Sequence, residues 1–502
     1  MMPTEIPDPV TAPPRYTADA AHANSSSVQN GALGSLEQRG IEPVPEEERQ
    51  GNPLELFWVW FAANISVLGL PLGVSLIALG LSVWQSILVA VIGAFGSFAI
   101  VGLISIAGRR GGAPSLTLSR AIFGTRGNAG PTLVALLSRL GWETVNTSTA
   151  ALAVVTIASL LLGTGGDAKS APLVAVFGVV LFVGFTVSVS GMGHALILVV
   201  QKWSTWIFGA VNLVILAFLV FRIDWVQVAQ VPHGTTAAVL TGIGTIAAGT
   251  GIGWANSGAD MARYQAPSVR ALSLVASASA GAGIPLVVMI AMGSMLGASD
   301  AAIATSANPL DAIRSTLPHS IAVVYLLVSF VGLLLSNHLS VYSAGLTTLT
   351  LGLRVRRVYA VIVDVVVTTT GSLLFLLVAD GFYGPFISFI SLLAVPISAW
   401  VGIFLVDLLK RRTYDPEALL DLSSGSRYSY TGGVRWKAVV PWVLAIAIAA
   451  LFMQVSPGPT PWYTGPLVHT WIGANGMAWV LAAVIGGLLY ALIGLRSVER
   501  EA

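Results

Sequence analysis

Two apolar stretches of the chain are broken by glycine and proline at matching places. The first runs from about residue 54 to 80 and is interrupted at Ser66-Val67-Leu68-Gly69-Leu70-Pro71-Leu72-Gly73. The second runs from about 236 to 259 and is interrupted at Gly249-Thr250-Gly251-Ile252-Gly253-Trp254. Counted along the chain, they are the first and the sixth apolar spans. A helix broken inside a bilayer leaves backbone N–H and C=O groups that lipid cannot satisfy, so a break persists only where it lines a cavity or grips a solute. Two breaks five spans apart are the sequence mark of a secondary transporter built from inverted repeats.

Composition places the chain in a membrane. Of its 502 residues 55% are hydrophobic and only 10% charged, with a mean hydropathy of +0.82, where a soluble protein carries about 25% charged residues. The net charge of +2 says nothing about partners, and no basic run reads as a nucleic-acid patch. The absence of cysteine excludes disulfides and thiolate metal sites. The histidines are scattered, with no pair at metal-ligand spacing.

Twelve spans of about 20 apolar residues are expected, at roughly 54–80, 84–107, 131–162, 172–191, 200–222, 235–259, 271–297, 320–343, 357–379, 382–409, 436–455 and 471–495. The short junction between Ala379 and Phe382 is the least distinct division. Residues 1–50, rich in Pro, Ala, Ser and Glu, read as a disordered cytoplasmic tail. With the N-terminus inside, only Lys169, Arg222 and Arg314 of the 25 Lys and Arg fall in the opposite loops. That asymmetry puts both termini in the cytoplasm. The expected organisation is a first five-helix repeat over 51–235, a second over 236–410, a cytoplasmic loop at 411–435, and helices 11 and 12 with a short tail over 436–502. A short surface helix is expected at 114–123. The outer loop between Ser299 and His319 has helical spacing around Leu310-Asp311-Ala312-Ile313, as a lid or as a solvated connector.

Polar residues inside the spans carry the chemistry. In Gly141-Trp142-Glu143-Thr144-Val145-Asn146, Trp142 and Asn146 are four apart and share one helix face. An indole beside an amide suits a flat polar ring, stacked on its face and bonded at its edge; the alternative is that Asn146 bonds a neighbouring helix. Glu143, an intramembrane carboxyl, is a candidate for a substrate contact or for carrying a coupling proton, and the alternative is a salt bridge to Arg139. Gly253 lets a solute touch backbone, and Trp254 offers a second aromatic face. Stacking on such a face is worth roughly 1–3 kcal/mol per base. Asp260 and Arg263 read as a structural or gating ion pair. Ser329, Ser336, Ser340 and Ser343 form a polar stripe on the eighth span with Asn337 at its edge; Ser336, Asn337 and Ser340 are candidate contacts. Asn64 and Ser66 enter the first break. His338 reads as a satisfied histidine, and Asp364 is unexplained.

These segments, with Trp60-Phe61-Ala62-Ala63-Asn64-Ile65-Ser66, Gly253-Trp254-Ala255-Asn256-Ser257-Gly258-Ala259-Asp260 and Ser336-Asn337-His338-Leu339-Ser340, resemble the nucleobase–cation symporter-1 family in its purine–cytosine permease branch. The resemblance implies an all-α membrane protein with a LeuT-like 5+5 inverted repeat, broken helices 1 and 6, and two C-terminal helices. It implies a heterocycle held between Trp142 and Trp254, read at its edge by Asn146, with further contacts from Ser66, Ser336, Asn337 and Ser340. In one respect the chain departs from the family's sodium-coupled members. Their adjacent pair of hydroxyl residues on the eighth helix is Leu335-Ser336 here, and a hard cation wants several oxygen ligands. The departure favours H+ over Na+ as the coupling cation, with Glu143 as the candidate carrier.

The expected function is import of a nucleobase, cytosine or a purine, by cation symport across the plasma (inner) membrane. No other cofactor, no bound metal, no nucleic acid and no obligate protein partner are expected beyond membrane lipid. A hydantoin, allantoin, a pyridoxine-like vitamin or another flat heterocycle fits the same contacts. A membrane-embedded enzyme would need clustered catalytic groups, and a channel would not need a stacking site.

Overall fold

The computed structural model describes residues 39–190, 194–304, 309–352, 357–378, 383–458 and 460–495. The apolar spans are helices. In chain order they are the first (Pro53–Asn64 with Gly69–Ala78), second (Val83–Gly111), third (Ala129–Leu162), fourth (Pro172–Ser190), fifth (His194–Val220), sixth (Thr236–Ala262), seventh (Ala271–Ser299), eighth (His319–Thr350), ninth (Arg357–Leu377), tenth (Tyr383–Lys410), eleventh (Trp436–Ala450) and twelfth (Ala478–Ile493). Among the described residues, seven pass the length and hydropathy needed to cross a bilayer alone, the bent first span makes eight, and the other four are apolar but shorter. The junction expected between Ala379 and Phe382 lies outside the described residues.

The packing follows a five-span offset. The first span packs on the seventh as the sixth packs on the second; the third packs on the ninth as the eighth packs on the fourth. The second and seventh, and the third and eighth, pack on each other. Each of these relations maps onto itself or its partner when five is added to or subtracted from the span number, as inverted repeats require. The tenth, eleventh and twelfth spans form a separate group against the bundle.

Both expected breaks are present, but the first is displaced. The first span bends by 63° between Pro53–Asn64 and Gly69–Ala78, so the chain opens at residues 65–68, and Gly69, Pro71 and Gly73 belong to the second half-helix. Pro71 sits in its first turn, where the missing N–H costs no hydrogen bond. Gly69 and Gly73 serve close packing instead. A Cβ on Gly73 would lie 2.0 Å from the Ile290 carbonyl oxygen, and one on Gly69 2.5 Å from Met289 Cβ. Gly293 meets the same half-helix from the seventh span, 2.0 Å from the Leu70 oxygen by the same measure. Small residues four apart let helix backbones touch where lipid offers no hydrophobic drive.

Three further expectations are corrected. The helix Ser115–Phe123 exists but is buried along its whole length rather than lying on the surface. It is covered by the 411–435 loop: Arg120 Nη1 donates to Leu419 O (2.7 Å) and Arg411 Nη2 to Ala121 O (3.0 Å). The end of the N-terminal segment is also packed: Val44 is fully buried, its N–H donates to Gly112 O (2.8 Å), and Arg263 Nη1 donates to Gly40 O (2.7 Å). The eleventh span stops at Ala450, and a two-stranded hairpin (Gln454–Val455 with Tyr463–Thr464) and the helix Trp471–Ala474 precede the twelfth. In the outer loop, Pro309–Ser315 is helical, with an Arg314–Asp311 ion pair of 2.8 Å.

Candidate substrate site

The sixth span opens where its glycines cluster. A wide π-type turn covers Ala248–Ile252, with Thr250 at φ −128°, ψ −105°, and a short 3-10 turn follows at Ala255–Ser257. The freed backbone groups are met by side chains. Ser97 Oγ, from the second span, accepts from Gly251 N–H (3.1 Å) and lies 3.3 Å from Thr250 Oγ1. Thr250 Oγ1 also sits 2.6 Å from Ile246 O, the usual back-bond of a helical threonine. Arg139 Nη2, from the third span, donates to the Gly253 carbonyl. Gly251 is pressed so closely on Ser97 that a Cβ would fall 2.4 Å from its backbone carbon. A Cβ on Gly253 would stand 3.1 Å from Trp142 Nε1. Glycine therefore serves both the unwinding and the approach of the third span.

A narrow crevice of about 10 Å³ lies at this point, lined by Ser138, Trp142, Ala248, Gly253, Phe389 and Ile390 among others. Trp142 is half-buried, and its ring meets Phe389 edge-on at 6.3 Å. Trp254, also half-buried, faces a different set of neighbours: Trp60 edge-on at 5.4 Å, and the Arg139 guanidinium 4.3 Å from its ring centroid. Both indoles thus flank Gly253. Trp142 lines the crevice, while Trp254 carries a planar cation on its ring.

The polar faces of the third and eighth spans meet directly. Asn146 Nδ2 donates to Asn337 Oδ1 (3.3 Å), and Asn337 Nδ2 donates to Thr186 Oγ1 of the fourth span (3.2 Å). Asn146 is thus bonded to a neighbouring helix. Ser340 is buried beside Glu143, and Ser336 is half-buried on the same helix. Ser66 lies in the first break, where Gly332 lets the eighth span approach: a Cβ there would be 3.3 Å from Ser66 Cα. Ser66 Oγ accepts from Leu68 N–H (3.3 Å) and Asn64 Nδ2 donates to Trp60 O (2.8 Å), so both side chains cap the broken helix itself.

Arg139 does not form the salt bridge to Glu143 that its spacing suggested; it turns to Trp254 and Gly253. Glu143 faces Asp364 of the ninth span instead. Asp260 accepts from Ser115 N–H (2.8 Å) and from Ser343 Oγ, tying the end of the sixth span to the buried short helix and to the eighth span. Arg263 donates to Tyr342 Oη (2.9 Å). His338 is turned to the backbone of Thr186. Neither Ser97 nor Thr186 carries a local sequence signal, because each acts across helices on residues far away in the chain.

The match to a family model spans residues 43–477 and is described as a permease for cytosine/purines, uracil, thiamine, allantoin. YxlA of Bacillus subtilis (strain 168), assigned as a purine-cytosine permease, is 25% identical over 465 residues, 91% of this chain and 96% of its own length. The purine-cytosine permease FCY2 of Saccharomyces cerevisiae is 28% identical over 285 residues, 56% of this chain and 52% of that protein. The fold is shared with Mhp1, a nucleobase-cation-symport-1 family transporter solved closed with bromovinylhydantoin bound. Its TM-score is 0.70 at 21% identity, over 93% of this chain and 96% of that one. It is shared more distantly with MhsT, solved with L-phenylalanine, at a TM-score of 0.55 and 14% identity, over 88% of this chain and 99% of that one. A LeuT-like bundle broken in its first and sixth spans, matched to this model over most of its length, is a membrane transporter and not an enzyme, and the chain belongs to the cytosine/purine permease branch of the nucleobase–cation symporter-1 family.

Proposed function

We propose that the protein imports a nucleobase, cytosine or a purine, by proton symport through alternating access. The observation that carries this reading is the opened sixth span, whose Gly251 and Gly253 backbone groups are held by Ser97 and Arg139 beside the Trp142 crevice. A flat ring stacks on an indole there, and the Asn146–Asn337 pair can exchange its mutual hydrogen bond for one to the ring edge. The purine–cytosine permeases among its relatives support this class of cargo. Ser66, Ser336 and Ser340 complete the proposed polar lining. Leu335 in place of a hydroxyl residue favours H+ over Na+. The skew of Lys and Arg supports a multi-pass plasma (inner) membrane protein with both termini cytoplasmic.

The test is an uptake panel of radiolabelled cytosine, adenine, guanine and hypoxanthine in cells lacking their own carriers, run with sodium or choline and with or without a protonophore. The reading expects saturable uptake of at least one base, indifferent to sodium and abolished by the protonophore. Strict sodium dependence would overturn the choice of cation, and uptake of none of the four would overturn the cargo. A second reading keeps the fold and carries another flat heterocycle; the neighbour solved with bromovinylhydantoin favours it. Hydantoin and allantoin in the same panel separate the two.

A further inference from the structure

Between the third, eighth and ninth spans lie two carboxyl groups that the crevice does not use. Glu143 is 1% exposed and Asp364 is 3% exposed. Their carboxyls are close enough to act on each other, and Ser340 lies beside Glu143. Yet none of the four carboxyl oxygens, nor Ser340 Oγ, has a hydrogen-bond partner of ordinary geometry among the described residues. The helix register explains the meeting. The Asn146–Asn337 bond sets the antiparallel third and eighth spans in register. Three residues back on the third span and three on along the eighth, the same faces present Glu143 and Ser340. Ser372 Oγ donates to Thr144 O (3.3 Å) and holds the ninth span against the third.

The surrounding charges are few. On its own helix Glu143 has Arg139, four residues earlier, itself 1% exposed with Nε and Nη1 unbonded among the described residues. The eighth span offers Ser340, while His338 is turned to the fourth span's Thr186 backbone. From the sixth span Asp260 acts on Arg139, but it is held by Ser115 and Ser343 and feels Arg263 as its own cation. Two ionised carboxylates beside the single Arg139 would leave a net negative charge buried in the bilayer, which costs several kcal/mol even after relaxation. One proton shared between them leaves the group neutral and supplies the missing hydrogen bond.

We propose that Glu143 and Asp364 together form a proton-binding site, and that Arg139 connects it to the broken sixth span. The coupling role rests on the proton-symport reading above; the proton site itself does not. Loss of the proton places a second negative charge one turn from Arg139, which answers it by leaving the Gly253 carbonyl and the Trp254 ring. Proton occupancy and the geometry of the break are thereby linked through one side chain.

The direct test is infrared difference spectroscopy on the purified full-length protein without ligand, titrated from acid to alkaline pH. Expected is a carbonyl band of a protonated buried carboxyl near neutral pH, lost on alkalinisation and absent from both E143Q and D364N. A band unchanged in both variants, or no such band in the wild type, overturns the site. Should E143Q fail to reach the membrane, D364N and the exchanged double variant E143D/D364E carry the test; the exchange keeps two carboxyls and is expected to restore a band. In proteoliposomes the same single variants should lose accumulation driven by a pH gradient while exchange of internal for external base persists. Wild-type uptake that ignores the pH gradient while the band is present refutes the symport reading alone. Proton-driven accumulation retained in both variants refutes the pair as the coupling site.

Discussion

Replacing Ser97 by alanine should weaken substrate binding by about an order of magnitude without touching any proposed substrate contact. Ser97 is 3% exposed, and its Oγ is the recorded partner of Gly251 N–H at the opened turn. Alanine removes that acceptor in a setting where neither water nor lipid can replace it. A buried N–H left unpaired costs about 1–3 kcal/mol, or roughly 5- to 150-fold in an equilibrium constant at 1.4 kcal/mol per decade. The turn can recover the bond only by rewinding, which would displace Thr250 from its non-helical conformation and carry Gly253 away from Trp142 Nε1. The cost therefore falls on the site rather than on the fold at large. Ser105→Ala is the control one helical stretch further along. Ser105 Oγ donates to the carbonyls of Val101 (3.0 Å) and Gly258 (2.9 Å), and an under-satisfied carbonyl is tolerated better than an orphaned N–H. Substrate affinity of the purified protein, measured by scintillation proximity beside thermal unfolding in detergent, separates the two effects. Wild-type affinity in S97A would mean that the Gly251 N–H does not depend on Ser97, and the account of how the break is held would fail.

Three other outcomes follow from the same packing and chemistry. Trp142→Ala should lower affinity by about 1–3 kcal/mol, the value of one stacked base, and Trp254→Ala, which takes away the ring that the Arg139 guanidinium rests on, should also lower it, both with membrane insertion intact; normal uptake kinetics in both would remove the aromatic site. Gly73→Ala should cost about 1–3 kcal/mol or more as an overpacked contact, because the Ile290 oxygen stands 2.0 Å from the new Cβ; a wild-type yield of monodisperse protein on size exclusion would contradict the close packing of the first and seventh spans. Asp407→Asn should be strongly destabilising, by about 3–5 kcal/mol. It leaves Arg411 (2.7 Å) and Arg435 (3.7 Å) without their buried carboxylate, and thermal unfolding in detergent reads the loss.

The breaks were legible from composition because glycine is expensive in a helix and rarely clusters without cause. What glycine is for was not legible. In the sixth span Gly251 and Gly253 do unwind the chain, whereas Gly69 and Gly73 serve a close helix contact, and the opening lies just before them at residues 65–68. Both uses leave the same letters in the sequence, and only the facing helix distinguishes them. The short helix 115–123 is expected at the surface, yet the 411–435 loop folds over it; that contact joins segments far apart in sequence. Arg139 and Glu143 illustrate the limit of local spacing. At four residues apart they read as an ion pair, but the guanidinium finds Trp254 and the Gly253 carbonyl, and the carboxyl finds Asp364. The facing of Asn146 by Asn337 likewise had no local signal, although each residue stood out alone as an amide inside an apolar span.

Thiol labelling at Ser138 tests the location of the site most directly. The chain has no cysteine of its own, so S138C places a single reporter among the residues lining the crevice beside Trp142 and Gly253. The base selected by the uptake panel should slow labelling of S138C by a membrane-permeant maleimide, half-maximally at its transport KM, and should leave a reporter at the exposed Thr460 unaffected. Labelling of S138C at the same rate with and without saturating substrate would place the cargo elsewhere and contradict the account.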